Sequence, residues 1–145
     1  MTKSLIALAI LREMIDKKDP KWIIESTDAD ESISSAFDAL VFAINYLQEI
    51  QVLAGAHEVG IPIAIPQALE SDQWATGYIR SVLEKASDGE ENSGADMVDY
   101  PHGLATLALL LHMVALNGIV VEISNQTNDS PEEIVELIAQ GLMSS

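Results

Sequence analysis

The chain contains no cysteine. That excludes a disulfide framework, a thiolate metal centre and a cysteine nucleophile, and it agrees with a reducing, cytoplasmic setting. Aromatic residues are sparse, at 5% of positions. Because 48% of the chain is hydrophobic, the core is expected to be aliphatic. Basic residues are the third shortage. Seven Lys and Arg face 23 Asp and Glu, for a formal net charge of −16, and no Lys or Arg follows Lys85. A surface of that sign repels phosphate backbones and anionic lipid, which argues against direct nucleic-acid binding. The last sixty residues carry ten acids and no basic side chain to offset them. The plainest meaning is a solvated face that aids solubility. The more specific one is a docking face for a basic protein, or a mimic of nucleic acid.

What is present is apolar periodicity over a length of 145 residues. That length suits one domain, residues 1–145, burying roughly two thirds of its unfolded surface. Near the start, Lys3 precedes a short apolar run as in a secretion leader, but Arg12 and Glu13 follow at once and helical spacing continues through Met14 and Ile15. The expectation is an amphipathic first helix from about Ser4 to Lys18, stopped by Pro20. A second helix opens with Asp28 or Asp30 as cap, Asp28 and Glu31 having capping-box spacing, and runs to about Ala54. Its apolar positions Ile33, Phe37, Leu40, Ile44 and Leu47 recur four and three apart, and Val41 and Phe42 widen the stripe. The segment "GAHEVGIPIAIPQ" cannot extend that helix; Ile61, Ile63 and Ile65 alternate, as in an extended segment or a short strand.

A third helix is expected from Pro66 or Ser71 to Ala86, with Trp74, Tyr78, Val82 and Leu83 on one face. Residues 87–99 combine Gly, Ser, Asn and acids with little to bury, and read as a mobile acidic loop. A fourth helix begins near Pro101. The fifth has the clearest start signal: Ser130 as N-cap, Pro131 in the first turn and Glu133 at the capping-box position.

The fourth helix contains "LATLALLLHMVALNGIVV", Leu104 to Val121, in which His112 is the only ionisable residue. Its length is near the lower limit for a membrane span. Against a span, no Lys or Arg stands within fifteen residues of either end, and Asn117, Gly118 and His112 would lie inside it. At 100° steps Gly103, Thr106, Asn117 and Ser124 share a narrow sector. Leu104, Leu107, Leu109, Leu111, Met113, Val114, Leu116 and Val120 fill most of the remainder. A helix apolar nearly all round is buried nearly all round, so the fold expected is an all-α bundle of about five helices around a central helix near 101–125. An alternative ends the helix at Gly118 and makes "GIVVEIS" a strand paired with "IPIAI". Apolar surface in excess of what four flanking helices can cover points to a homodimer.

Candidate chemistry is thin. His102 and His112 are ten residues apart on one helix, ~15 Å along its axis, and cannot ligate one metal. His57 in "AHEVG" lacks a second ligand at helical spacing. The carboxylate pairs Glu13/Asp16 and Glu133/Glu136 read as exposed faces, with Glu132 and Glu133 also favourable at a helix N-terminus. His112 reads as a core histidine with one satisfied hydrogen bond. Trp74 and Tyr78, one turn apart, read as core or interface anchors, or as the floor of a ligand pocket completed by His102 and His112. No metal or cofactor is implied.

The function expected is therefore non-catalytic: an acidic helical protein docking a basic protein through Glu90, Glu91, Asp96, Asp99, Glu132, Glu133 and Glu136. Inhibitor, nucleic-acid mimic and immunity-type antagonist are subcases. Two alternatives stand beside it: a small-molecule binder or enzyme using Trp74, Tyr78, His102 and His112, and a purely structural homo-oligomer.

Overall fold

A computed structural model describes residues 3–16, 25, 29–55, 67, 70–87, 103 and 105–144. Five helices account for nearly all of them: α1 (Lys3–Asp16), α2 (Ala29–Leu53), α3 (Gln73–Ser87), α4 (Ala105–Thr127) and α5 (Pro131–Ser144). The architecture is an all-α bundle, and no strand occurs among the described residues. The segment 61–65, the loop residues 88–99, His57, His102, Asp28, Glu90, Glu91, Asp96 and Asp99 lie outside the described residues.

The bundle has a central pair rather than a single axis. α2 and α4 form the most extensive interface, and each also packs on the other three helices. α1 and α5 lie together on one side of the pair, while α3 packs on α2 and α4 from the other. The stripe read on α2 is the inner face: Ile33, Phe37, Leu40, Ile44 and Leu47 are all buried. α4 contributes Leu109, Leu111, Leu116, Ile119, Val120 and Ile123 to the same core.

Helix ends follow local chemistry. Asp72 caps α3: its carboxylate accepts from the Ala75 amide at 3.0 Å, and its carbonyl accepts the first helical bond from the Thr76 amide. Pro66 and Ser71, the expected starts, precede this cap. Gly55 closes α2 with a positive φ of 84°, its amide donating to the Val52 carbonyl. Between α4 and α5 only residues 128–130 intervene. Asn128 takes the left-handed conformation there, φ 63°, its amide donating to the Ser124 carbonyl. Ser130 then caps α5 as its sequence signal implied, its hydroxyl accepting from the Glu133 amide at 3.2 Å.

Three expectations are corrected. α4 runs unbroken through Gly118 to Thr127, which removes the strand alternative; a glycine inside a helix costs about 1 kcal/mol, and the packing of Leu116, Ile119 and Val120 on both sides offsets it. α4 is also not buried all round, since Leu110 and Val121 are exposed. It is long and apolar enough to cross a membrane by length and composition, with a little over half of its most apolar window buried in the bundle. Finally, Glu13 does not lie on an exposed face but is buried, and its Oε2 has no hydrogen-bond partner among the described residues. It sits one turn beyond Ile10 on α1, and is drawn inward because α1 is covered by both α2 and α5.

Candidate functional site

Two groups of side chains stand out. The first crosses the α3–α4 interface. Trp74 and Tyr78 are one turn apart on α3, which puts their rings in contact: centroids 5.4 Å apart, planes tilted by 33°. Tyr78 meets His112 of α4 edge-on, with centroids at 5.6 Å and planes at 72°. The string runs from outside to inside, since Trp74 is 40% exposed, Tyr78 6% and His112 0%. The structure thus brings together three of the four expected ligand-contacting residues. Trp74 was expected on the same face as Tyr78, Val82 and Leu83; those three are buried, and Trp74 lies at the edge of their face.

The polar atoms of this string are informative. His112 Nδ1 lies 2.9 Å from the Ala108 carbonyl oxygen. A carbonyl can only accept, so Nδ1 is the donor, and in the neutral ring Nε2 then carries a bare lone pair. Desolvation lowers the His112 pKa to about 4, opposed only by the bond to Ala108, so the ring is neutral at pH 7. Tyr78 is pushed the other way, to about 12, by the same cause. Both are held neutral, and neither is poised to exchange a proton near neutral pH. His112 Nε2 and Tyr78 Oη are buried without a hydrogen-bond partner among the described residues. Of the sequence readings, the core histidine with one satisfied bond matches what is seen.

The second group is the acidic start of α5. Glu132, Glu133 and Glu136 are exposed, as is Asp129 in the preceding turn. The Ser130 cap places Glu132 and Glu133 in the first turn, where the helix dipole favours negative charge. Neither α4 nor α5 contains a Lys or Arg. Among the described residues no cluster of three His, Cys, Asp or Glu side chains suited to a metal ion occurs.

The residue that sequence reasoning placed wrongly is Glu13, read with Asp16 as an exposed face and found buried. Helical spacing carries a signal for it, since Ile6, Ile10 and Glu13 lie four and three apart and share the buried face of α1. No protein-family model matches the chain, and it has no significant similarity to a curated protein or to a solved structure.

Proposed function

We propose that this chain is a non-catalytic interaction protein that self-associates and docks a protein with a basic surface through the exposed acids of α5. The observation that carries this reading is the presentation of Glu132, Glu133 and Glu136 on the outside of a capped helix that, like α4 before it, contains no Lys or Arg. Fixed carboxylates on one helix face raise association rate and specificity for a cationic surface more than they raise affinity alone. An inhibitor that occupies a nucleic-acid site, or an antagonist of a basic toxin, is the form such binding takes when the partner's basic surface is its working surface.

The neutral state of His112 and Tyr78 argues against either of these two side chains serving as a general acid or base, which works best with a pKa near the operating pH. The test is a fluorescence-anisotropy titration of a lysine-rich peptide at rising ionic strength. Affinity is expected to fall steeply with salt, and to fall about tenfold when Glu132, Glu133 and Glu136 are replaced together by Gln. Neutralising three exposed acids elsewhere, Glu31, Glu49 and Glu84, is the control. Equal loss in both triple variants, or salt-insensitive binding, would sink the assignment of α5 as the docking face.

A further inference from the structure

The α3–α4 string has a chemistry that the acidic face does not use, and the inference drawn from it is independent of the proposed partner. His112 Nε2 is an acceptor with nothing donating to it among the described residues. Tyr78 Oη, on the ring in edge contact with that imidazole, is a hydroxyl with no partner among them. Leaving such groups unmade in an apolar interior carries the desolvation cost of each with no hydrogen bond to offset it. The group that would complete both must donate to a lone pair and accept from an O–H. A hydroxyl does both with one oxygen; a carbonyl serves only Tyr78, and an ammonium, which can donate to His112 Nε2 and to the Tyr78 oxygen, leaves the Tyr78 O–H without an acceptor.

The rest of the setting narrows the class. Burial on this scale opposes a charged group, as the displaced pKa values of both residues show. The net charge of −16 further disfavours an anion. Trp74 stands at the outer end of the string with 40% of its surface in solvent and its ring already against Tyr78. An indole so placed offers an aromatic surface at the outer end of the string, against the Tyr78 ring.

We propose that Trp74, Tyr78 and His112 line a binding site for a small neutral hydroxyl compound with an aromatic body, its hydroxyl donating to His112 Nε2 and accepting from Tyr78 Oη. The site recognises the ligand by one shared oxygen at its buried end and by ring contact at Trp74. Tyr78 and His112 bind and orient; neither reacts.

Phenol is the probe, and toluene, of similar size without the hydroxyl, is its counterpart. Full-length protein labelled with nitrogen-15 at histidine is titrated with each, following the ring nitrogens of His112 by long-range proton–nitrogen NMR. Phenol is expected to shift the Nε2 resonance saturably, and toluene to bind about tenfold more weakly, the equivalent of one hydrogen bond. Tyr78→Phe keeps the ring and its packing and is expected to weaken phenol about tenfold while leaving toluene unchanged. Three outcomes overturn the proposal: no saturable shift with phenol, equal affinity for phenol and toluene, or an Nε2 resonance that reports a hydrogen bond in the ligand-free protein and does not move, which identifies a permanent buried water as the occupant.

Discussion

His112 and Gly141 are the two residues whose surroundings make the firmest demands. His112 ionises near pH 4 in the folded protein and near 6.5 in an unfolded chain. Between those values the unfolded state binds a proton that the folded state refuses, so stability is unaffected above about pH 6.5 and is lost as pH falls toward 4. The loss reaches about 3 kcal/mol at pH 4. His112→Leu is expected to abolish it: the difference in unfolding free energy between the two proteins, measured by urea denaturation, should change across pH 7 to 4 by that amount, and parallel curves would show that the imidazole is not held neutral.

Gly141 makes its demand by proximity. A Cβ built there would collide with the Phe42 ring of α2. Gly141→Ala gains up to about 1 kcal/mol of helix propensity but must displace that ring, a cost of about 1–3 kcal/mol. The net effect expected in wild-type background is destabilisation. In a Phe42→Ala background the same change should stabilise, and a double-mutant cycle by urea denaturation measures the coupling. The satisfied bond at His112 was legible from an isolated histidine on an apolar arc. The Phe42 contact was not, because an isolated helical glycine looks the same whether it faces water or a ring on another helix.

At the scale of the element, capping decides where helices begin. Asp72 satisfies an otherwise orphan amide at the start of α3. Asp72→Ala is expected to lower stability by about 1 kcal/mol, and Asp72→Ser to recover most of it; an alanine variant with an unchanged urea midpoint would show that the cap contributes nothing. Ser130 was legible as a cap because Pro131 and Glu133 follow it and restrict the possibilities to one register. Asp72 was not, since Ser71 and Pro66 offered competing starts and only the geometry of the chain entering α3 selects among them. The course of α4 past Gly118 was undecided for a related reason. The β-branched run from Ile119 to Val121 suits strand or helix, and the buried sides that Ile119 and Val120 present within the bundle settle the choice.

Across the whole molecule, burial and charge are arranged in opposition. The core is aliphatic and centred on α2 and α4, while α5 carries exposed acids and α4 leaves Leu110 and Val121 at the surface. Between Ala105 and Val121 the only ionisable group is His112, which is neutral at pH 7. Two copies each bearing −16 can approach most easily on such an uncharged face. The proposed homodimer therefore makes a direct prediction: Leu110→Glu combined with Val121→Glu is expected to convert dimer to monomer in sedimentation velocity without loss of helical content. Wild-type protein that sediments as a monomer at tens of micromolar would remove self-association from the functional reading.

Periodicity and composition by themselves determined the all-α class, the five helices, the aliphatic core with its stripe on α2, and the exposed acids at the start of α5. They could do so because each depends on which residues recur within a few turns of one helix. Tertiary structure decided what depends on neighbours distant in the chain: that the centre is a pair of helices, that Glu13 is drawn inside, that Leu110 and Val121 are not covered, and that Trp74, Tyr78 and His112 meet across an interface. Spacing along one helix sets the direction in which a side chain leaves it. What that side chain meets is set by how the other helices pack.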